Sequence, residues 1–250
     1  VNKRKSNFTI HVTTQPIKRQ SLIQVREGLV VPTPELALLQ LANTESKLSV
    51  LHYAFAFCGG FALSGCSKDD LTNSATLTSV TALAKAARKF NGLHGAPKLR
   101  SLLPYVLNDS RSPQESLLAM VLTLPHYLGG FNLKAPKLNY RIDPGKRALQ
   151  LGFSNYYVAD LCWPEKRLIV EYDSNYAHLS PEQKTYDEAR RNSLEYANYK
   201  LISVTSQQLS SITAMNAIAK EIARHLDQRI RPRVKDFNEK QRTLFNSKVF

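Results

Sequence analysis

Apolar and polar positions alternate at Phe8–Val12, and Leu29–Val31 is a second short apolar run, so the chain is predicted to begin with short strands. The pattern then turns helical. Thr33-Pro34-Glu35 reads as a helix start, with Thr33 as N-cap and Pro34 in the first turn, and Glu35–Ala42 continues it. Leu48–Cys58 is a second helix, stopped by Gly59-Gly60. The Ala- and Lys-rich Thr78–Phe90 is a third, and Ala96–Leu103 a fourth that ends at Pro104. Residues 1–107 are thus predicted to be mostly helical.

Asn108-Asp109-Ser110-Arg111 has the composition of a connector, after which Ser112-Pro113-Gln114-Glu115 opens a helix running to about Leu124. Leu138–Ile142 is extended, and Asp143-Pro144-Gly145-Lys146 is a turn. Tyr156–Cys162 and Leu168–Tyr172, rich in Val, Ile and Tyr, flank the turn-like Trp163–Arg167 and read as a hairpin. A charged amphipathic helix (Pro181–Tyr196), a strand (Lys200–Val204) and a closing helix (Ser210–Leu226) follow. This order predicts an α/β fold, a mixed sheet flanked by helices and preceded by a mostly helical N-terminal region. Three segments result: 1–109, 110–228, and a basic C-terminal tail at 229–250.

Composition adds exclusions. With 43% hydrophobic and 22% charged residues, wholesale disorder is excluded. No apolar run reaches about eighteen residues, so no membrane-spanning helix is expected. Cys58, Cys66 and Cys162 are too few and too scattered for a disulfide framework, and a cytoplasmic setting is expected. The 34 Lys and Arg against 20 Asp and Glu leave a net charge of +14. That surplus suits a polyanionic partner, nucleic acid or an anionic membrane surface, and equally a solvated basic surface. It divides as +7 before Arg111, +5 over 229–250 and only +2 between.

The near-balanced middle stretch holds the candidate chemistry. Asp160 falls on the first strand of the hairpin and Glu171 and Asp173 at the end of the second. Three acids at one end of a sheet repel one another unless a cation or basic side chains compensate. Mg²⁺ is held by one or two carboxylates together with phosphate oxygens. His178, five residues beyond Asp173, can take a proton from water at neutral pH. Solvated strand-end acids and an idle loop histidine are the ordinary reading of the same residues.

The succession Val158-Ala159-Asp160-Leu161, Trp163-Pro164-Glu165, Leu168-Ile169-Val170-Glu171-Tyr172-Asp173 and His178 continues with Asp187, Arg190-Arg191-Asn192, Leu194, Tyr199, Leu201-Ile202 and Val204-Thr205. It resembles the Vsr-like, DUF559-type branch of the PD-(D/E)XK nuclease superfamily over about residues 110–209, with the Ser112–Glu115 helix matching the acidic helix that opens that module. The resemblance implies a restriction-endonuclease-like core and Mg²⁺- or Mn²⁺-dependent hydrolysis of phosphodiester bonds, with DNA ahead of RNA as substrate. It implies Asp160 as the central metal ligand, with Glu171, Asp173 and the carbonyl of Tyr172 as candidates for the remaining ligands. Glu115 would reach in directly or through water, and His178 would activate water or stabilise the phosphate. Arg190 or Arg191 would pair with Asp187 or with a phosphate. Arg141, Lys146, Arg147, Arg167, Arg190 and Arg191 are candidate phosphate contacts, each with a solvated charge as the ordinary reading. Two departures stand out: Asp173 occupies the position of the superfamily Lys, and Ser174-Asn175 follows where a Gly is common. Glu115 is also fully accounted for as the capping-box partner of Ser112, which competes for the same carboxylate.

Residues 1–107 carry no catalytic constellation. Val30–Ala42 resembles a short stretch in AbiEi-type antitoxins, and is equally an ordinary capped helix. Cys58, Cys66 and His52 do not make four zinc ligands, so buried thiols are expected. The alternative function is a nucleic-acid-binding regulator or toxin–antitoxin component that keeps a nuclease-like fold without catalysis.

Overall fold

The computed structural model describes residues 17–61, 75–143, 145, 156–173, 191–192 and 194–247. The expected strand Phe8–Val12 lies outside them, as do Cys66, Lys146, Arg147, His178, Asp187 and Arg190.

Two short strands, β1 (Leu22–Arg26) and β2 (Leu29–Pro32), pair as an antiparallel hairpin. Four helices follow: α1 (Pro34–Thr44), α2 (Lys47–Phe57), α3 (Val80–Lys89) and α4 (Gly95–Leu102). Helix α5 (Pro113–Thr123) leads into β3 (Lys137–Ile142), β4 (Tyr157–Trp163), β5 (Leu168–Asp173) and β6 (Lys200–Thr205), which lie side by side in that order. The first two pairings are antiparallel and β5–β6 is parallel. Helices α6 (Ser206–Leu209), α7 (Ile212–His225) and α8 (Phe237–Phe245) complete the described elements. The protein is therefore mixed α/β, with a four-stranded mixed sheet flanked by helices.

Serines set half of the helix starts among the described helices. Ser46, Ser79, Ser112 and Ser211 each accept a backbone N–H three residues on, from Ser49, Ala82, Glu115 and Ala214. Thr33 departs from expectation: its side chain makes no cap bond, and Pro34 alone begins α1. The expected closing helix, Ser210–Leu226, is α7, and a short helix α6 precedes it. A reciprocal capping box between Thr205 and Gln208 starts α6, and Ser211 starts the chain again as α7.

One buried apolar cluster joins all three segments of the chain. It runs from Leu38 and Phe55 through Met120, Trp163 and Val204 to Met215 and Leu244. The region expected to be a basic tail takes part: Ile230 and Phe237 pack on this core, and Leu244 and Phe245 are buried in it. A smaller cluster of Ile142, Tyr157, Ala159, Cys162, Ile169 and Leu194 lies on the other face of the sheet. Among the described residues, no helix is long and apolar enough to cross a membrane.

His52 of α2 is 3% exposed, and its Nε2 lies 3.0 Å from the hydroxyl of Ser247. Burial holds its imidazole down at about 4, against 6.5 for a free side chain. Between those values the unfolded chain binds a proton that the folded chain does not. The stability from this group is expected to be complete above pH 6.5 and to fall as pH drops toward 4. The fall should be shallower in His52→Gln, as urea titrations of both proteins across that window will show.

Candidate functional site

The site begins with a change of face inside the sheet. Side chains alternate between faces along a strand. Leu138, Leu161 and Trp163 point to the main core, whereas Tyr140, Ile142, Tyr157 and Ala159 belong to the other cluster. Both strands therefore exchange faces between Leu138 and Tyr140 and between Ala159 and Leu161. The pairs Leu138↔Leu161 and Tyr140↔Ala159 flank this position without a slip in register. Asn139 sits at the exchange with φ +45°, a left-handed conformation that Asn tolerates better than most residues. Asp160 lies across from it.

On its other side, β4 pairs with β5 only as far as Leu161↔Val170. Continuing that register by one residue sets Asp160 across from Glu171, at the point where the ladder ends. There the Asp160 carboxylate, through Oδ2, accepts the backbone N–H of Tyr172 at 2.8 Å. A side-chain bond thus replaces the ladder and holds the acid against β5. By alternation with Ile169, Glu171 and Asp173 project on the face of the smaller cluster, while Tyr172 packs toward the main core. All three acids are half-buried. Burial pushes the Tyr172 phenol up, and a hydrogen bond with Ser206 opposes that shift.

Glu115 enters from the first turn of α5 and is 8% exposed. One carboxylate oxygen accepts the Ser112 hydroxyl at 3.0 Å; the other accepts the Arg111 backbone N–H at 2.9 Å and the Asn139 side-chain amide at 2.8 Å. The Ser112–Glu115 capping pair is thus present, with the backbone bond shifted one residue from the usual capping box. The same Asn139 amide also donates to the Asp109 carbonyl at 2.8 Å. Glu115 is therefore joined to the residue that faces Asp160. Hydrophobic patterning does not single out Asn139, although an Asn inside a Leu-Asn-Tyr strand is a poor strand former and is itself a signal. Ser112→Ala removes the cap and is expected to cost about 1 kcal/mol in a urea unfolding measurement.

Of the candidate phosphate contacts, Arg141 and Arg167 line one cleft together with Tyr140, Tyr196 and Tyr199. Arg141 stacks over the exposed Tyr156 ring at 4.2 Å and pairs with Asp143 at 3.1 Å. Arg191 is exposed and helical. Among the described residues, no group of three or more His, Cys, Asp or Glu side chains is arranged to hold a metal ion. The carboxylates that could contribute to a metal site are those of Asp160 and Glu171, since Mg²⁺ takes one or two carboxylates with water and phosphate oxygens filling the rest.

Thiol chemistry is not available at Cys58 or Cys162. Both are buried, and burial pushes each thiol up to about 12. Both are expected to resist iodoacetamide in the native protein and to label after unfolding, as peptide mass spectrometry will show.

No family model matches the chain, and no solved structure matches it. Two curated proteins of Mycobacterium tuberculosis do: uncharacterized protein MT2308 of strain CDC 1551 / Oshkosh and uncharacterized protein Rv2248 of strain ATCC 25618 / H37Rv. Each is 25% identical over 146 residues, which is 58% of this chain and 48% of the relative. The matched region thus spans about half the length of these curated relatives.

Proposed function

We propose that the chain is a metal-dependent nuclease of restriction-endonuclease-like type that hydrolyses phosphodiester bonds, in DNA ahead of RNA. The observation that carries this reading is the junction of β4 and β5, where the Asp160 carboxylate accepts the Tyr172 N–H just past the end of the ladder, with Glu171 and Asp173 on either side of Tyr172 in β5. Carboxylates brought close at a strand junction repel one another, and either basic side chains or a divalent cation offsets that repulsion; the proposal assigns that part to the cation. Asp160 and Glu171 would hold Mg²⁺ or Mn²⁺, which supplies charge neutralisation at the scissile phosphate and a water of lowered pKa. Asp173, beside them, would orient the attacking water, with His178 as the second candidate for that proton.

Glu115 enters this reading as a positioning residue. Its bond to the Asn139 amide supports the left-handed residue that faces Asp160. Arg141 and Arg167 would hold flanking phosphates without reading sequence.

Incubation of supercoiled plasmid with the protein and Mg²⁺ or Mn²⁺ tests the proposal, with EDTA as the control. Nicked or linear product that needs the divalent ion supports it. Intact DNA and RNA across all conditions would reject it. Binding that ignores divalent ions, with no cleavage, would point instead to a nucleic-acid-binding regulator.

A further inference from the structure

The C-terminal segment that follows α7 carries a basic alternation, Arg229-Ile230-Arg231-Pro232-Arg233-Val234-Lys235. The fold holds its beginning firmly. Helix α7 ends in a Schellman motif: the Gln228 N–H bonds the Ala223 carbonyl at 2.8 Å, the Asp227 N–H bonds the Arg224 carbonyl at 3.3 Å, and Asp227 has φ +55°. Gln228 Oε1 then accepts the Lys134 backbone N–H at 2.8 Å. Asp227 pairs with Lys166 at 2.6 Å, and His225 Nε2 donates to the Lys166 carbonyl at 2.8 Å. Ile230 packs on the main core.

These anchors fix the direction in which the cations leave the surface. Lys220 and Arg224, one helical turn apart on α7, and Arg229 and Arg231 beyond it line one cleft, and all four are exposed. Arg224 pairs with Glu221, and Asp227 is taken up by Lys166. Among the described residues, no acid pairs with Lys220, Arg229 or Arg231. A helix C-terminus favours cations within its last turn, which accounts for Arg224 and not for the arginines past the cap. Arg229, Arg231 and Arg233 are all exposed. In an extended chain such alternate residues lie roughly 6.6 Å apart. That is close to twice the ~3.4 Å axial spacing of phosphates along one DNA strand.

We infer that this cleft is a phosphate-backbone site for nucleic acid, remote from the acidic cluster. The cleft adjoins the Pro164–Lys166 turn, beside which β5 begins, while Glu171 and Asp173 stand at the other end of that strand. A nucleic acid held here and at the acidic junction would run along the sheet. The inference rests on the nucleic-acid half of the proposed function and not on cleavage.

Its test is the binding of a short fluorescent DNA duplex in EDTA across a range of KCl, comparing wild type with Arg229→Gln/Arg231→Gln. The double variant is expected to bind about tenfold more weakly at low salt. Its slope of log affinity against log salt should be shallower by about 1.8, the loss of two phosphate contacts. An unchanged slope in the variant overturns this inference and leaves the nuclease proposal standing. Wild type that binds no nucleic acid overturns both. Lys85→Gln/Arg88→Gln on α3, likewise exposed, is the control. An equal loss there would mean diffuse charge and would overturn the site. Binding to phosphatidylserine vesicles alone, lost in the double variant, would assign the cleft to a membrane surface and overturn it as well.

Discussion

Asp160→Asn is expected to leave the protein folded and to abolish divalent-dependent plasmid cleavage. The amide keeps an oxygen that can accept the Tyr172 N–H, so the junction of β4 and β5 retains its bond. An alanine there would strand that N–H and cost about 1–3 kcal/mol, mixing a folding defect with a catalytic one. What Asn removes is one negative charge of the pair with Glu171, and under the nuclease proposal that charge holds the cation. Loss of several kcal/mol of charge stabilisation at the phosphate corresponds to about 10³-fold or more in rate. DNA affinity measured in EDTA should be unchanged or slightly higher, because a carboxylate facing the phosphates has been neutralised. Plasmid nicking assays beside urea midpoints separate the two effects. Cleavage by Asp160→Asn at the wild-type rate would remove Asp160 from the mechanism.

Asp160 and Glu171 were legible in the sequence because a hairpin is local: a Pro-containing turn between two β-rich runs fixes which positions come together. The serine caps were legible for the same reason, since a cap is satisfied within three residues. Asn139 was not. Its part depends on a left-handed backbone inside a strand, on a partner strand about twenty residues away and on a helix before it, and no window of sequence contains all three. The failure over residues 229–250 was of another kind. Seven basic residues dominate the composition there, whereas Phe237, Gln241, Leu244 and Phe245 recur at helical spacing as a stripe, the last three buried and Phe237 packed against the core. Charge described what that segment shows to solvent, while the apolar period described where it packs. The two features coexist because a surface helix keeps them on opposite faces.

That stripe carries the second large effect. Leu244→Ala is expected to destabilise the protein by about 3 kcal/mol or more, because Leu244 is fully buried and truncation loses both its transfer energy and its packing. For a chain of this size the melting temperature should fall by about 6–12 °C. Arg242→Ala, two residues away on the exposed face of the same helix, should stay within about 0.5 kcal/mol of wild type. The contact can also be broken from its other side. Gly129 has φ +92°, and a Cβ placed there would lie 2.3 Å from the Lys240 carbonyl oxygen of α8. The turn after α5 therefore approaches α8 as closely as it does only because it lacks a side chain. Gly129→Ala should weaken the same docking by forcing the helix outward. A detached basic arm would make all three substitutions equally silent, whereas a docked helix separates Leu244 and Gly129 from Arg242. That separation also bears on the cleft formed with α7. Arg229 and Arg231 are fixed in direction only if the chain is anchored on both sides of them, by the α7 cap before and by α8 after. A Leu244→Ala protein that unfolds in one transition with an unchanged denaturant slope would show the anchor to be part of the cooperative fold.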